Sequence, residues 1–164
     1  MNLSTPSQLT TPQIRATTPQ EDARIAQHFY QMWRDNQVPA AAIAPDWLAI
    51  TLQFIEQARY SLKYQAFVAD VDGAIAGSVS CQSFAGLYPN VLKLEYRQYG
   101  YIWNVYVEPA HRQQGIATQL MQQAIAYLRD RGCTQAFLHA SPAGKPLYTR
   151  LGFTETNSLR LDLV

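Results

Sequence analysis

The sequence is short of charge, cysteine and histidine, and each shortage excludes a class of protein. Only 15% of its 164 residues are charged and the net charge is +1, so it lacks the basic surface of a nucleic-acid-binding protein. Two cysteines, Cys81 and Cys133, are too few for a disulfide framework, and three widely spaced histidines disfavour a zinc site. We therefore expect no metal, and cysteines that are small buried residues in a reducing cytoplasm.

Long apolar runs and a targeting segment are also missing. No stretch approaches ~18 consecutive apolar residues, so no membrane span is predicted. Residues 1–12 are rich in Ser, Thr and Pro and lack a secretory signal pattern; we expect a flexible leader, followed by a single domain over residues 13–164. The chain is nevertheless 48% hydrophobic, with 10 Tyr, 6 Phe and 3 Trp, which is enough for a globular core.

Hydrophobic spacing predicts helices alternating with strands. Thr18-Pro19-Gln20-Glu21 is a capping-box pattern that should start a helix. Asp72-Gly73 is a favoured hairpin turn because both positions tolerate positive φ. The predicted elements, in order, are a strand at 14–16, helices at 18–36 and 45–58, strands at 64–71, 74–84 and 101–107, a helix at 115–131, a strand at 136–140, a helix at 141–151 and one or two closing strands within 153–164. This order indicates a mixed α/β sheet.

The most informative segment is Val105-Tyr-Val-Glu-Pro-Ala-His-Arg-Gln-Gln-Gly-Ile-Ala-Thr118. It predicts a strand, a turn at Pro109 and a loop whose Gly115 opens a helix. A helix start presents free backbone N–H groups and the positive end of the helix dipole, which suits an anion. The segment matches neither G-x-G-x-x-G nor a P-loop, and on its own it is equally consistent with an ordinary strand–helix connection.

At Arg112-x-x-Gly115-Ile116-Ala117, after a Val-x-Pro turn, the segment resembles the acetyl-CoA signature of the GCN5-related N-acetyltransferases, the GNAT superfamily. The stretch from His139 to Phe153 is similar to that family's final strand–helix–strand segment. Two motifs in the right order are more specific than either alone. The resemblance implies a GNAT-like fold: a central mixed sheet with two splayed parallel strands, flanked by about four helices.

The same resemblance implies where acetyl-CoA binds, with its pantetheine arm along a strand edge and its pyrophosphate at the helix start. The implied cofactor contacts are Val105, Tyr106, Val107, Arg112, Gln113, Gln114, Gly115, Ile116, Ala117, Thr118, Ser141 and Gly144. Tyr148 matches the family's general-acid tyrosine, and a backbone amide near Val105 would stabilise the oxyanion. Lys145 is better explained as a solvated helix residue.

The sequence does not identify the residue that accepts the proton of the amine, nor the pocket that binds the amine. Some relatives carry a glutamate where this chain has Tyr101, so the candidate bases, acting through water, are Glu95, Asp46 and His139. Specificity is expected from the connection 37–46, the loop 85–100 and the tail 155–158. Aromatic residues that these segments would bring near the pocket, unless they belong to the core, are Trp33, Trp47, Tyr88, Tyr96, Tyr99 and Trp103.

We therefore predict a cytoplasmic acyltransferase that moves acetyl from acetyl-CoA to a primary amine by direct attack in a ternary complex. Few acidic residues are expected around the pocket, which favours a small, modestly charged amine or amino acid as the acceptor substrate. The alternatives are a non-catalytic CoA-binding sensor of the same fold and acetylation of a protein N-terminus or lysine. The acyl-chain length is open, and exposed C-terminal strands would allow a homodimer.

Overall fold

The computed structural model describes residues 11–163 and contains one five-stranded sheet with helices on both faces. Its elements, in chain order, are β1 (Gln13–Ala16), α1 (Asp22–Asp35), α2 (Trp47–Ser61), β2 (Gln65–Val71), β3 (Ala74–Phe84), β4 (Tyr99–Val107), α3 (Ile116–Asp130), β5 (Gln135–Phe137) and α4 (Lys145–Arg150). The strand order is β1-β2-β3-β4-β5, antiparallel except for the parallel pair β4–β5. The predicted mixed α/β class is confirmed.

Local signals account for the first helix and the hairpin. Before α1, the Glu21 carboxylate accepts a hydrogen bond from the Thr18 amide at 3.0 Å, which satisfies a donor that the helix cannot. At the hairpin, Asp72 and Gly73 both have positive φ, 53° and 82°, as the predicted turn requires. The Asp70 carboxylate accepts from the Gly73 amide at 2.8 Å and closes the turn.

The sheet divides the apolar core into two layers because successive strand residues point to opposite faces. On one face, Phe67 and Val79 pack with Leu120 of α3. On the other face, Val68 packs with Ile25 of α1 and Ile55 of α2, and all three are fully buried. Helix α3 therefore covers one side of the sheet and helices α1 and α2 cover the other.

The two parallel strands separate soon after they begin. Only three residue pairs join β4 to β5, and the last is Tyr101 with Phe137. Among residues 11–163, nothing pairs as a strand with residues 102–107 of β4 on that side, so a wedge opens between the two strands. The splayed parallel strands that the family resemblance implies are confirmed.

Two C-terminal elements are shorter than the sequence predicts. Strand β5 ends at Phe137 instead of residue 140, because residues 138–140 already line the wedge. Helix α4 begins at Lys145 instead of residue 141. Ser141 forms a turn first: its Oγ and its carbonyl oxygen both accept from the Gly144 amide, at 3.2 and 3.0 Å.

The predicted closing strands are wrong for the described part of the tail, residues 153–163, which contains none. Leu159, Leu161 and Leu163 alternate as in a strand but are 99%, 80% and 86% exposed. Alternation alone does not make a strand, because a strand also needs a partner strand to pair with. The homodimer prediction rested on these strands, and it stays a prediction without that support.

Two further expectations concern the ends of the chain and the membrane. The predicted leader, residues 1–12, lies outside the described residues except for Thr11 and Pro12. Within residues 11–163, no helix has the length and apolar character needed to cross a bilayer.

Candidate functional site

A cavity of about 1220 Å³ occupies the wedge between β4 and β5. Its walls come from β4, the start of α3, residues 138–144 and α4, and from α1 and α2 across the sheet. Pockets for one small molecule commonly measure ~300–1,000 Å³, so this cavity is larger than a usual single-ligand pocket. Within the described residues, no group of three or more His, Cys, Asp or Glu side chains is placed to hold a metal ion.

The start of α3 supplies the cavity with backbone N–H groups. Gln113 and Gly115 both have positive φ, 60° and 78°, and they turn the loop into the helix. The first hydrogen bond of the helix runs from the Gln119 amide to the Gly115 carbonyl at 3.2 Å. The amides at positions 116–118 precede that bond and therefore lack partners in the helix. Free amides at the positive end of a helix dipole suit an anion, and anion binding at this helix start stays a prediction.

Arg112 lies at the same wall of the cavity, but its guanidinium group already has hydrogen-bond partners. Its Nη2 donates to Asp35 Oδ2 at 2.6 Å and its Nε donates to the Val107 carbonyl at 2.8 Å. Its guanidinium carbon stands 5.5 Å from the centre of the Tyr106 ring. The charge of Arg112 is thus shared with Asp35, and its visible role is to tie the end of α1 to the end of β4. A direct contact with a pyrophosphate stays a prediction.

Nearly all of the predicted contact residues lie at this cavity. Those that line it are Val105, Tyr106, Val107, Arg112, Gln113, Gly115, Ile116, Ala117, Thr118, Ser141, Gly144 and Tyr148. Gln114 does not; its side-chain amide donates to the Ala110 carbonyl at 3.4 Å. Lys145 is also outside and pairs with Glu155, as a solvated helix lysine would. The structure brings the two sequence motifs together, and the ligand role of each residue stays a prediction.

A β-bulge lies in β4 where the reaction is expected. Ser78 pairs with Tyr106 and Ser80 pairs with Trp103, so Asn104 and Val105 together face the single residue Val79. Asn104 has a positive φ of 55°. A bulge leaves its extra residue outside the strand ladder, and the role of a backbone amide near Val105 stays a prediction.

Buried polar contacts hold this bulge in place. The Asn104 side chain is 1% exposed, and its amide donates to the Ile25 carbonyl of α1 at 3.1 Å. The His28 ring, also 1% exposed, has its Nδ1 2.7 Å from Ser78 Oγ. Its Nε2 lies 3.3 Å from Glu108 Oε1, outside hydrogen-bond geometry. Asn104 therefore orients the backbone and does not present its amide to a substrate.

We expect His28 to make the fold sensitive to mild acid. Burial, with the positive charge of Arg24, lowers the pKa of His28 from 6.5 to about 4. Below pH 6.5 the unfolded chain therefore binds a proton at His28 that the folded chain does not bind. The free energy of unfolding thus falls as the pH falls from about 6.5 to about 4. The total loss in the free energy of unfolding is about 3 kcal/mol, at 1.36 kcal/mol per pKa unit.

Urea unfolding at several pH values measures this effect. The His28→Gln variant keeps a polar side chain at position 28 but cannot titrate there, so its stability should vary less between pH 6.5 and 4. Equal pH slopes for the two proteins in that window would show that His28 is not the source.

Tyr148 reaches the cavity from α4. Burial raises the pKa of Tyr148 above its usual value, so the phenol is protonated at neutral pH. Its ring packs edge-to-face on Phe153, with centroids 6.1 Å apart. A Cβ added to Gly144 would lie 2.9 Å from Tyr148 Cε2, so a side chain at position 144 would displace the Tyr148 ring.

Of the three candidate bases, the structure brings only His139 to the cavity. Glu95 and Asp46 are exposed and lie outside it. The ring Nδ1 of His139 is hydrogen-bonded to the Tyr101 hydroxyl, across the wedge from the segment after β5 to β4. Sequence reasoning took Tyr101 only as a missing carboxylate and did not pair it with His139. Tyr101 pairs with Phe137, and residue 139 follows on the same side of the chain. This register comes from the three-dimensional structure, so the sequence alone carried no signal for the contact.

The predicted source of specificity is corrected by the structure. Neither loop 85–100 nor tail 155–158 lines the cavity, and the connection 37–46 contributes only Val38. Of the predicted aromatic residues, Trp33 and Trp103 line it, whereas Trp47, Tyr88, Tyr96 and Tyr99 do not. Trp47 stacks on Tyr30 instead, with ring centroids 4.6 Å apart. Phe29 and Phe54 also line the cavity and were not among the aromatic residues predicted there.

Comparison with known proteins agrees with this arrangement. The model of the acetyltransferase (GNAT) family matches residues 22–153. A GCN5-related N-acetyltransferase from Ralstonia eutropha JMP134 is 26% identical, with a TM-score of 0.78, covering 93% of this chain and 98% of that one. A predicted acetyltransferase from Clostridium acetobutylicum, solved with acetyl-CoA, shares the fold at 22% identity, with a TM-score of 0.77, covering 93% of this chain and 96% of that one.

A curated relative matches over a shorter length. Glucosamine 6-phosphate N-acetyltransferase of Trypanosoma brucei brucei is 34% identical over 68 residues. The match covers 41% of this chain and 46% of that protein, which is less than half of the relative's length.

Proposed function

The chain belongs to the acetyltransferase (GNAT) family, whose co-substrate is acetyl-CoA, and from this premise we propose that it transfers the acetyl group of acetyl-CoA to a primary amine. One observation carries the proposal: Tyr148 and the free amides at the start of α3 line the same cavity, in the wedge between β4 and β5. A donor for the leaving sulfur and a cradle for a diphosphate are therefore within one site.

The bound acetyl-CoA would use backbone groups that the fold leaves unpaired. Residues 102–107 of β4 have no strand partner on the wedge side, so the amide-bearing pantetheine arm can lie there as an added strand. Its pyrophosphate then reaches the amides at positions 116–118. This orientation places the thioester beside the bulge at Asn104 and Val105, where a backbone amide can stabilise the negative oxygen of the tetrahedral intermediate.

Direct attack needs no covalent enzyme intermediate. The amine nitrogen attacks the thioester carbonyl carbon to form the C–N bond, and collapse of the intermediate breaks the C–S bond. The leaving thiolate takes a proton from the Tyr148 hydroxyl, and the second proton that the nitrogen loses as it becomes an amide returns through solvent to the Tyr148 oxygen. A thiol has a pKa near ~8.5 and a phenol near ~10, and burial raises the pKa of Tyr148 further, so this transfer must be coupled to C–S cleavage.

The incoming ammonium group must first lose a proton, and we assign the role of proton acceptor to His139. When its Nδ1–H donates to the Tyr101 oxygen, its Nε2 carries the lone pair and can accept the proton. Burial raises the pKa of Tyr101, which keeps the phenol neutral as a partner. Overall, an ammonium and acetyl-CoA give an amide, CoA thiol and one proton released to solvent.

Thiol release measured with acetyl-CoA and a panel of primary amines tests this function. We expect amine-dependent release of CoA thiol, and a His139→Gln variant whose rate at neutral pH is lower by at least about tenfold. Thermal stabilisation by acetyl-CoA without thiol release from any amine would contradict the proposal and favour a CoA-binding sensor. A wild-type rate in His139→Gln would remove only His139 from the mechanism.

The cytoplasm is the compartment that we propose. Cys81 and Cys133 are both free thiols, and Cys133 is partly exposed. A reducing compartment keeps such thiols unpaired.

A further inference from the structure

The part of the cavity between β4 and helices α1 and α2 is built from aromatic rings. Trp103 of β4 is the central ring, with Phe29 at a centroid distance of 5.1 Å and Phe54 at 5.5 Å, both edge-to-face. Trp33 continues the series, 6.0 Å from Phe29. These four residues, Phe29, Trp33, Phe54 and Trp103, are called the aromatic box below. The box opens into the same cavity as Tyr148 and His139, so a molecule held in it shares one cavity with the proposed reacting groups.

The aromatic box leaves apolar surface uncovered. Trp33 is 44% exposed, Phe54 is 45% exposed and the adjacent Ile50 is 50% exposed, and all three line the cavity. Apolar side chains that converge on a concave surface commonly mark a binding site, because a ligand can remove that surface from water. The indole N–H of Trp103 already donates to Gln82 Oε1 at 3.1 Å, so its polar atom is satisfied and its ring offers apolar contact.

The charges around the aromatic box limit the ligand to one positive group. Among the described residues that line the cavity, Asp35 is the only carboxylate, and Arg112 pairs with it at 2.6 Å. A second or third ammonium group on the ligand would therefore find no free anionic partner here. A single ammonium next to His139 is compatible with the site, because that group loses its charge before it reacts.

We propose that the aromatic box is the acceptor subsite and that the preferred acceptor is a primary amine on an aromatic body. Planar rings fill a box of edge-to-face aromatic residues well, and each such contact adds to the burial of apolar area. The reactive nitrogen then points towards His139 and the thioester. This inference rests on the proposed acetyl transfer and names the substrate class for it.

Two probe amines of equal charge test the inference. 2-Phenylethylamine and ethylamine each carry one ammonium group, and they differ by an aromatic ring. We expect kcat/KM to be at least about tenfold higher for 2-phenylethylamine, and also higher than for spermidine or glucosamine 6-phosphate. Thiol release that is fastest with spermidine or glucosamine 6-phosphate would overturn the aromatic acceptor and leave acetyl transfer intact.

Variants of the aromatic box locate the effect. Phe54→Ala and Trp33→Ala remove half-exposed side chains, so the fold should tolerate them, and each should lower kcat/KM for 2-phenylethylamine by about tenfold or more. The matched control is Tyr60→Ala, because Tyr60 is on the same helix as Phe54, is 96% exposed and lies outside the cavity. Equal kcat/KM values for 2-phenylethylamine in all three variants would contradict the assignment of the aromatic box as the acceptor subsite.

A binding measurement separates this inference from the proposed function. Calorimetric titration of 2-phenylethylamine into the CoA-saturated protein should show saturable binding that Phe54→Ala weakens. Binding without thiol release would contradict acetyl transfer but support the subsite. Thiol release from other amines with no binding of 2-phenylethylamine would contradict the subsite alone.

Discussion

Replacing Tyr148 by phenylalanine should lower kcat by about 10²-fold and leave the KM for acetyl-CoA nearly unchanged. The phenol lines the cavity, and burial raises its pKa, so it is a protonated donor over the whole neutral range. General acids commonly contribute ~10²–10⁴-fold to a rate, and phenylalanine keeps the ring while removing only the proton. Steady-state thiol release with varied acetyl-CoA measures both parameters.

Tyr127→Phe is the matched control for that variant. Its hydroxyl donates to the Lys63 carbonyl at 2.8 Å, outside the cavity, so kcat should not change. A Tyr148→Phe enzyme that keeps the wild-type rate at neutral and alkaline pH would exclude Tyr148 as the acid. An equal loss in both variants would point to general damage to the fold.

Replacing Ala117 by aspartate should strengthen the fold and weaken binding of acetyl-CoA, two effects of opposite sign. Ala117 is in the first turn of α3 and lines the cavity. A carboxylate there is favourable to the helix dipole by ~0.3–1 kcal/mol. It also competes for the amides that we assign to the diphosphate and repels it, so the KM for acetyl-CoA should rise at least about tenfold.

Gln119→Glu separates the two effects of the Ala117→Asp variant. Gln119 is near the same helix start but does not line the cavity, so a new charge there can favour the helix without facing the cofactor. Thermal unfolding and the KM for acetyl-CoA are measured for both variants. An unchanged KM in Ala117→Asp would contradict the placement of the diphosphate.

Most of the fold could be predicted because its elements carry local signals. The helix after Thr18 and the hairpin at Asp72-Gly73 depend on contacts between residues close in sequence. The C-terminal strands could not be predicted in this way, because a strand depends on a distant partner. The leucines at 159, 161 and 163 have the right alternation but remain exposed.

The candidate site was predictable where it follows one continuous motif. The turn at Gly115 and the amides after it need only the local backbone, and the family match confirms the GNAT resemblance and its co-substrate. Contacts between distant segments were not predictable, and the pairing of Arg112 with Asp35 across 77 positions is the clearest case. The aromatic box was predicted only in part: Trp33 and Trp103 were expected near the pocket, whereas nothing local to Phe29 or Phe54 says that a cavity lies beside their helices.

Calorimetric titration of the wild-type protein with coenzyme A tests the central claim, that a diphosphate binds at the start of α3. We expect saturable binding with one coenzyme A per chain, and much weaker binding to Ala117→Asp under the same conditions. No detectable association at millimolar coenzyme A, or equal affinity for the two proteins, would contradict that claim.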